Sequence, residues 1–186
     1  LPIYEIIYGY AYVPSGRNIY KIPLECFEEI TDVGDDYTFL AAYRSVYYSS
    51  SENRKFNIEK VSKLIDGTVI NPEETFSFNK ITGPRGEKEG YKLAKVIAKG
   101  KYVDGYGGGV CQVASTIYSA ILNNYNIQIE KRYAHALEVN YVPIDMDATV
   151  NYNNIDFSFT NYYEFPIRVN VISENGICLV VISKAN

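Results

Sequence analysis

The stretch YGGGVCQVASTIYSAIL, residues Tyr106 to Leu122, joins three consecutive glycines to a cysteine and to the start of a helical pattern. From Val110 onward, apolar residues recur at i, i+3, i+4, i+7, i+11 and i+12. That spacing places them on one face of a helix, and such a face needs a protein core to cover it. The stretch therefore predicts a core helix that begins directly after the glycines, with Cys111 in its first turn.

Around this helix, the remaining patterns predict one further helix and many short strands. The second helix is predicted over NIEKVSKLIDG, residues 57–67, with Asn57 as its N-cap and Gly67 as its C-cap. The Asn-Gly pair at 175–176, between two apolar runs, predicts a hairpin turn. KITGPRGEKEGY is predicted as an exposed loop. Segments predicted as strands or hairpins are IYEIIYGYAYV, IYKIPL, YTFLAAYRSVYY, TVINPEETFSF, LAKVIAKGKYV, HALEVNYVP, ATVNY and IDFSFTN.

These elements together predict an α+β fold, in which mostly antiparallel short strands pack with about two helices. The 186 residues are 47% hydrophobic and 22% charged, which is enough for one domain with its own core. The formal net charge is −4 and no basic run is present, so we expect no nucleic-acid partner. No apolar run approaches the roughly 18 residues that span a bilayer. Because the chain begins at Leu1, we expect any export signal or membrane anchor to lie upstream of it.

Cys111 lies in the first turn of the predicted helix, a position that makes a thiol more reactive. The partial positive charge of a helix N-terminus lowers the pKa of a thiol in the first turn. Gly108 and Gly109 let the backbone approach a substrate and direct N–H groups at a developing oxyanion. On the helical wheel, Cys111 lies at the edge of the apolar face, beside Ser115 and Tyr118. The pattern indicates a nucleophile, and its alternative is a small core residue at a tight helix entry.

His135, in KRYAHALEVNY, is the only histidine of the chain. A cysteine nucleophile needs a neighbour that keeps it as a thiolate, and histidine is the usual one. His135 follows Cys111 by 24 residues, the length of a helix, a turn and the beginning of a strand. We therefore hypothesise a Cys111–His135 pair, with a surface histidine or a satisfied core histidine as the alternatives. The group that orients the imidazole stays open between Tyr141, Asn140, Asp147 and a backbone carbonyl.

Other kinds of site fit the sequence poorly. One histidine and three scattered cysteines match no zinc spacing, so we expect no metal. No GK[ST] follows GYGGGV, so we expect no nucleotide cofactor. Cys26 and Cys178 lie in apolar settings and are predicted as buried thiols, with a disulfide between them as the alternative. Asp145 and Asp147, in PIDMDATV, are interpreted as turn and cap residues rather than as a catalytic pair.

Several motifs in one order resemble the VanW domain family. They are GGGVCQVASTIYSAIL, the histidine, YVP..MDATV and IDFSFTN...FPIRV, preceded by RKFNIEKVSKLIDGTVINPEETFSFNKITGPRGEKEGY. The resemblance covers roughly residues 40–183. We therefore expect a VanW-like catalytic domain over 40–186, with residues 1–39 as an N-terminal lead-in packed on it. One departure is visible, because the family usually has glycine at the position of Asp145.

The resemblance implies an extracellular protein of the bacterial cell envelope, anchored to the membrane only through a segment outside this chain. Some members of the family are described as L,D-transpeptidases, with the motif cysteine as nucleophile. Here that role falls on Cys111, and His135 matches the family's histidine. The implied partners are peptidoglycan stem peptides, a donor tetrapeptide and an acceptor amine, used without a cofactor. We expect the protein to be a monomer.

The expected activity is therefore a cysteine-dependent acyl transfer that forms 3–3 cross-links. The predicted catalytic residues are Cys111, His135, Gly109 and Gly108. The predicted substrate-binding residues are Gln112, Ser115, Tyr118, Arg54, Arg132 and Tyr141. Among them the arginines suit a stem carboxylate, which arginine binds bidentately, and their alternative is an exposed charge or a local ion pair. The rival functions are a cysteine peptidase or amidase acting on wall peptides, and a non-catalytic peptidoglycan-binding module.

Overall fold

The computed structural model of the protein describes residues 5–7, 10–15, 18–23, 39–98 and 100–185. The chain divides into two compact units, Leu1–Tyr37 and Thr38–Asn186. The described part of the first unit is an antiparallel sheet of order β1-β2-β3, with β1 at Glu5–Ile7, β2 at Tyr10–Ser15 and β3 at Asn18–Pro23. The one strand predicted for IYEIIYGYAYV is thus divided between β1 and β2. Cys26 lies outside the described residues, and the packing of residues 1–39 on the rest of the chain stays a prediction.

The second unit holds nine strands and three helices within the described ranges. In chain order they are β4 Phe39–Val46, α1 Glu52–Ile65, β5 Thr68–Ile70, β6 Thr75–Ser77, α2 Phe78–Thr82, β7 Leu93–Ala98, β8 Lys101–Tyr106, α3 Val110–Ile121, β9 Ile127–Lys131, β10 Ser158–Asn161, β11 Ile167–Glu174 and β12 Ile177–Lys184. All their strand pairs are antiparallel, which confirms the predicted α+β class. The short helix α2 begins in what the sequence predicts as the end of a strand and runs into the predicted loop. None of the helices described is long and apolar enough to cross a bilayer.

A four-stranded sheet of order β4-β12-β11-β5 forms the centre of the second unit. The side chains of β12 are buried on both faces from Ile177 to Ser183, as its apolar sequence requires. Helices α1 and α3 pack on this sheet. The β11–β12 hairpin turns at Asn175 and Gly176, both at positive φ (48° and 79°), which confirms the predicted turn. Cys178 is a free and fully buried thiol, also as predicted.

Helix α3 begins at Val110, directly after the glycines, as the sequence predicts. Its apolar face is buried along the whole helix, and Leu122, just beyond the last turn, is 37% exposed. Each fully buried aliphatic side chain of that face stabilises the fold by roughly 1.5–3 kcal/mol. A hydrogen bond of 2.7 Å between the hydroxyls of Ser45 and Thr116 also ties α3 to β4. The core therefore fixes the helix, and with it the position of Cys111.

Helix α1 begins earlier than the sequence predicts, so the predicted N-cap Asn57 is wrong, while the left-handed glycine predicted at the C-terminal end is present. Its N-cap is Ser51, whose hydroxyl accepts a hydrogen bond from Arg54 N, and its C-cap is Asp66. Gly67 follows the helix at a φ of 76°. The prediction failed because polar residues of the first two turns hide the helical period. A serine directly before an acidic first turn, Ser51 before Glu52, was the N-cap signal that the sequence did carry.

Asn57 lies inside helix α1 and is fully buried. Its amide donates to the carbonyls of Lys92 (2.9 Å) and Gly108 (3.0 Å) and accepts from Lys92 N (2.8 Å). Buried backbone groups need such partners, because an unpaired one costs as much as a lost hydrogen bond. One side chain therefore joins α1 to the glycine loop that precedes α3 and to the residue that precedes β7.

HALEVNYVP does not form the predicted strand, and ATVNY contributes only an isolated bridge between Asn151 and Ile155. Strand β9 ends at Lys131, and β10 begins at Ser158. In this segment, side chains rather than a neighbouring strand accept the backbone hydrogen bonds. Asp147 accepts from His135 N, and Ser115 accepts from Ala148 N. His135 thus lies in an irregular segment that side chains hold in place, rather than at the start of a strand.

Replacing Asn57 with Ala should destabilise the protein by about 2–4 kcal/mol, because it removes three hydrogen bonds of a buried side chain and leaves the buried Gly108 O without that partner. The measurement is the free energy of unfolding from urea titration. Asn53→Ala is the matched control, since Asn53 lies one turn earlier in α1, is exposed, and donates one bond of 2.9 Å to Leu93 O. The control should cost about 0.5 kcal/mol. Equal losses for the two variants would contradict the role given to Asn57.

Candidate active site

A cavity of about 810 Å³ lies at the start of α3. Its walls come from the glycine loop, the β7–β8 hairpin, the start of α1 and the irregular segment around residues 139–153. Cys111 and His135 both line it. No group of three or more side chains able to hold a metal ion occurs in the described ranges. The cavity is thus built around a thiol and an imidazole.

The glycine loop meets its surroundings too closely for side chains. A Cβ on Gly108 would lie 2.6 Å from Lys95 O, and a Cβ on Gly109 would lie 2.9 Å from side-chain atoms of Arg54 and Ile58. Gly109 also has a φ of 108°, which residues with a side chain rarely adopt. It is the N-cap of α3 and offers no side chain to the first N–H groups of the helix, which have no intrahelical partner. Two of these N–H groups are nevertheless engaged by the loop itself, since Val110 N donates to Gly107 O at 3.2 Å and Gln112 N donates to Gly109 O at 3.0 Å.

Cys111 is the second residue of α3 and is partly buried. Its Sγ lies 3.5 Å from both the N and the O of Val150 and 3.8 Å from Thr149 Oγ1. Burial alone would raise the pKa of this thiol. The hydrogen bond and the charge of His135 outweigh that effect, so the pKa of Cys111 lies below its ordinary value of 9.0. The environment therefore favours the thiolate.

His135 is held on its far side by Asp147. The carboxylate Oδ2 of Asp147 lies 2.6 Å from His135 Nδ1 and accepts from His135 N at 2.6 Å. This contact keeps the proton on Nδ1 and leaves Nε2 for the thiol. Burial would lower the pKa of His135, but interactions with Cys111 and Asp147 raise it above 6.5. Thiolate and imidazolium thus stabilise each other.

Asp147 is therefore the orienting group among the four candidates. Burial would raise the pKa of its carboxyl, but the contacts with His135 and the charge of Arg132 hold that pKa below its usual range. Of the other side chains considered, Asn140 is exposed and Tyr141 touches the imidazole edge-on at 6.4 Å between ring centroids. The interpretation of Asp147 as a turn or cap residue is wrong.

Arg132 supports the carboxylate and does not line the cavity. Its Nη2 lies 2.9 Å from Asp147 Oδ1 and donates to Asp145 O at 3.0 Å, while its Nε donates to Asp147 O at 2.7 Å. Its guanidinium also lies over the ring of Tyr118, 5.1 Å from the centroid. Arg132 thus forms a local ion pair with Asp147, which was the alternative expectation for it, and it does not face the cavity where a stem carboxylate would bind.

Three further predicted substrate contacts lie in the core. Ser115 is fully buried, donates to Cys111 O at 2.8 Å and accepts from Ala148 N at 2.9 Å. Tyr118 packs edge-to-face on Phe157. Gln112 borders the cavity but is 1% exposed, and its Nε2 donates to Ser45 Oγ and Val46 O. These three residues therefore stabilise helix α3 and its surroundings. The sequence predicted them as substrate contacts because they lie near Cys111 on the helix, but their side chains are buried in the core.

Arg54 and Tyr141, in contrast, do line the cavity. The guanidinium of Arg54 lies over the Tyr141 ring, 5.8 Å from its centroid. Burial raises the pKa of the Tyr141 phenol and lowers the pKa of Arg54. Arg85, which nothing in the sequence singled out, also lines the cavity; burial lowers the pKa of its guanidinium, and the charge of Cys111 opposes that shift. Nothing in GPRG distinguishes it from an ordinary loop arginine.

Comparisons with known proteins agree on one family. The profile described as VanW like protein matches residues 53–182. The chain is 41% identical over 143 residues to uncharacterized protein YoaR of Bacillus subtilis, covering 77% of this chain and 47% of that protein. It is 31% identical over 115 residues to vancomycin B-type resistance protein VanW of Enterococcus faecalis, covering 59% and 42%. The chain therefore spans less than half the length of these relatives, and no solved structure matches it.

The rate at which iodoacetamide alkylates Cys111 should reach half its maximum at a pH below 9.0, because His135 lowers the thiol pKa. His135→Asn should move this midpoint upward, since it removes the cationic partner. Asp147→Asn should move it upward by less, because it lowers the pKa of His135 but leaves the ring. Peptide mass spectrometry follows Cys111 separately from the other thiols. A midpoint that stays fixed in His135→Asn would contradict the pairing.

Asp145 has a φ of 67°, a conformation that glycine adopts without strain. This explains why glycine suits the position. Asp145→Gly should leave the free energy of unfolding within about 1 kcal/mol of the original, because relief of strain opposes the added entropy of the unfolded chain. Asp145→Val, with a β-branched side chain at positive φ, should destabilise by about 1–2 kcal/mol. Thermal denaturation of both variants tests this, and equal stabilities would count against it.

Proposed function

The chain belongs to the VanW-like family, and on this premise we propose that it is a peptidoglycan L,D-transpeptidase that forms 3–3 cross-links through a thioester on Cys111. The observation that carries the proposal is the placement of Cys111 and His135 at one cavity, with the Asp147 carboxylate 2.6 Å from His135 Nδ1. The relative named for resistance to vancomycin, a cell-wall antibiotic, supports wall peptides as the substrate class.

In the first step, the Cys111 thiolate attacks the carbonyl of the third residue, a diamino acid, in a tetrapeptide stem. A new C–S bond forms and the carbonyl oxygen becomes an oxyanion. Backbone N–H groups around Gly108 to Cys111 stabilise it, an effect of about 3 kcal/mol for each donor. The His135 imidazolium then gives its proton to the amide nitrogen, and the C–N bond breaks. Terminal D-alanine leaves with its new amine, and a thioester remains.

In the second step, the side-chain amine of another stem attacks the thioester carbonyl. Neutral His135 takes one proton from this amine as the new C–N bond forms. The C–S bond breaks, and the thiolate and the imidazolium are restored together. Asp147 remains ionised throughout, because its depressed pKa keeps its charge beside the imidazolium that both steps need. The step consumes no cofactor.

Under this proposal, the partners are the donor tetrapeptide stem and the acceptor amine of a neighbouring stem. The protein then works outside the cell, in the envelope, held by a segment beyond the present chain. A peptidase or amidase would use the same first step, with water in place of the amine in the second. A non-catalytic binding module would need neither the lowered pKa of Cys111 nor the raised pKa of His135.

The protein should convert purified tetrapeptide muropeptides into dimers, and a trapped intermediate should carry the mass of the acylated protein. Cys111→Ala should lower dimer formation by at least about 10³-fold, because it removes the nucleophile. Cys178→Ala is the matched control, since this thiol is fully buried in β12, away from the cavity, and its loss should leave the rate unchanged. Liquid chromatography with mass spectrometry measures the products. Shortened monomers without dimers would support the peptidase, and unchanged binding and no product for both proteins would support the binding module.

A further inference from the structure

Arg54 is a cation at the cavity, beside the nucleophile. Its side chain lies so close to the glycine loop that a Cβ on Gly109 would come within 2.9 Å of its Cγ. Its guanidinium covers the face of Tyr141, and the edge of Tyr141 meets the ring of His135. Arg54, Tyr141, His135 and Cys111 all line the same space. The charge therefore lies in the same cavity as His135, and Tyr141 contacts both.

Within the described part of the chain, no carboxylate forms an ion pair with Arg54. Its Nη1 donates to Ser50 Oγ at 2.8 Å, a neutral partner that takes one of the five N–H donors of the guanidinium. Partial burial removes water from this charge, and without a counter-ion no interaction in the protein compensates for the lost hydration. An anionic group of a ligand would supply the missing partner, and a planar carboxylate matches the guanidinium fork.

The other cations at the cavity have more of their donors taken, since both terminal nitrogens of Arg85 donate to side chains of the protein, whereas Arg54 donates from Nη1 alone. Arg85 donates to Thr82 Oγ1 and to Asn79 Oδ1, each at 2.7 Å, and its guanidinium lies over the ring of Phe78. Lys95 pairs with Asp104 at 2.9 Å. Arg54 is therefore the cavity cation best placed to take a carboxylate from a ligand.

We infer that Arg54, backed by the ring of Tyr141, binds the carboxylate that neighbours the reacting amine of the substrate. The inference rests on the proposed function and names its specificity. His135 must protonate the leaving nitrogen, so the leaving residue lies on the His135 side of Cys111. In a C-terminal residue, the same α-carbon carries this nitrogen and the carboxylate. When the nitrogen lies at His135, the carboxylate therefore lies next to Arg54. The donor must therefore end one residue after the bond that breaks.

The same subsite serves the second step. His135 deprotonates the attacking amine from the position where it protonated the leaving one, as microscopic reversibility requires. The attacking nitrogen thus occupies the place of the leaving nitrogen, and a carboxylate on its neighbouring carbon comes next to Arg54. Preferred acceptors are therefore amines that carry a carboxylate on the adjacent carbon, and an amine at the end of a plain alkyl chain is a poor acceptor.

The test compares two synthetic tetrapeptide stems, one ending in D-alanine and one in D-alaninamide, with the 186-residue chain. The original protein should favour the free carboxylate in kcat/KM by roughly 10- to 100-fold, the effect of a charge-assisted pair. Arg54→Gln should bring this ratio close to one, and Arg54→Lys should keep part of it, because lysine retains the charge without the fork. Arg85→Gln is the matched control. It should lower kcat/KM for both stems by the same factor, which leaves their ratio unchanged.

A ratio near one in the original protein, or a full ratio in Arg54→Gln, overturns the inference while leaving transpeptidation in place. Absence of turnover with both stems overturns the proposed function instead. In that case, calorimetric binding of the same two stems to the Cys111→Ala protein decides the inference. The inference is supported if the stem with the free carboxylate binds more tightly and if Arg54→Gln removes this difference. Equal binding of both stems contradicts the inference. The ratio is measured within each variant, so a partial loss of folded protein does not affect it.

Discussion

Asp147 uses both carboxylate oxygens at once. Oδ2 lies 2.6 Å from each of two nitrogens of His135, the backbone N and the ring Nδ1, and Oδ1 lies 2.9 Å from Arg132 Nη2. The segment from β9 to β10 has no ladder of its own, so this carboxylate fixes both the course of its backbone and the direction of its imidazole. Removing one partner of such a buried pair typically costs about 3–5 kcal/mol. The position of the base is therefore a property of a side-chain network rather than of a strand.

The thiol is placed by a different constraint, the close packing of the glycine loop. Asn57 holds Gly108 O from helix α1, Gly108 lies against Lys95 O, and Gly109 turns the chain into α3. The loop thus joins two helices and the β7–β8 hairpin at one point, and Cys111 follows two residues later. Fixed backbone N–H groups beside a fixed thiol cost no reorganisation when charge develops, which is the condition for strong oxyanion stabilisation.

Electrostatics connects the two halves of the site. The pKa of Cys111 is lowered and the pKa of His135 is raised, each through the other, while Asp147 stays ionised behind the imidazole. Arg54 adds a positive charge in the same cavity, without a carboxylate partner in the described part of the chain. This distribution suits an anionic peptide and a thiolate nucleophile. It agrees with membership of a family that includes a vancomycin resistance protein.

The amino-acid sequence alone predicts helix α3, the β11–β12 turn and the buried Cys178, because local periodicity and turn chemistry carry that information. It also singles out Cys111 and His135, which line one cavity. It does not predict the irregular segment around His135, the start of α1 or the contact of Asp147 with the imidazole. Nor does it show which of Ser115, Tyr118, Arg54, Arg85 and Arg132 face the cavity. These depend on contacts between residues far apart in the chain. Arg54 and Arg132 have the same side-chain chemistry, but the packing of distant segments places Arg132 beside the Asp147 carboxylate and Arg54 at the wall of the cavity.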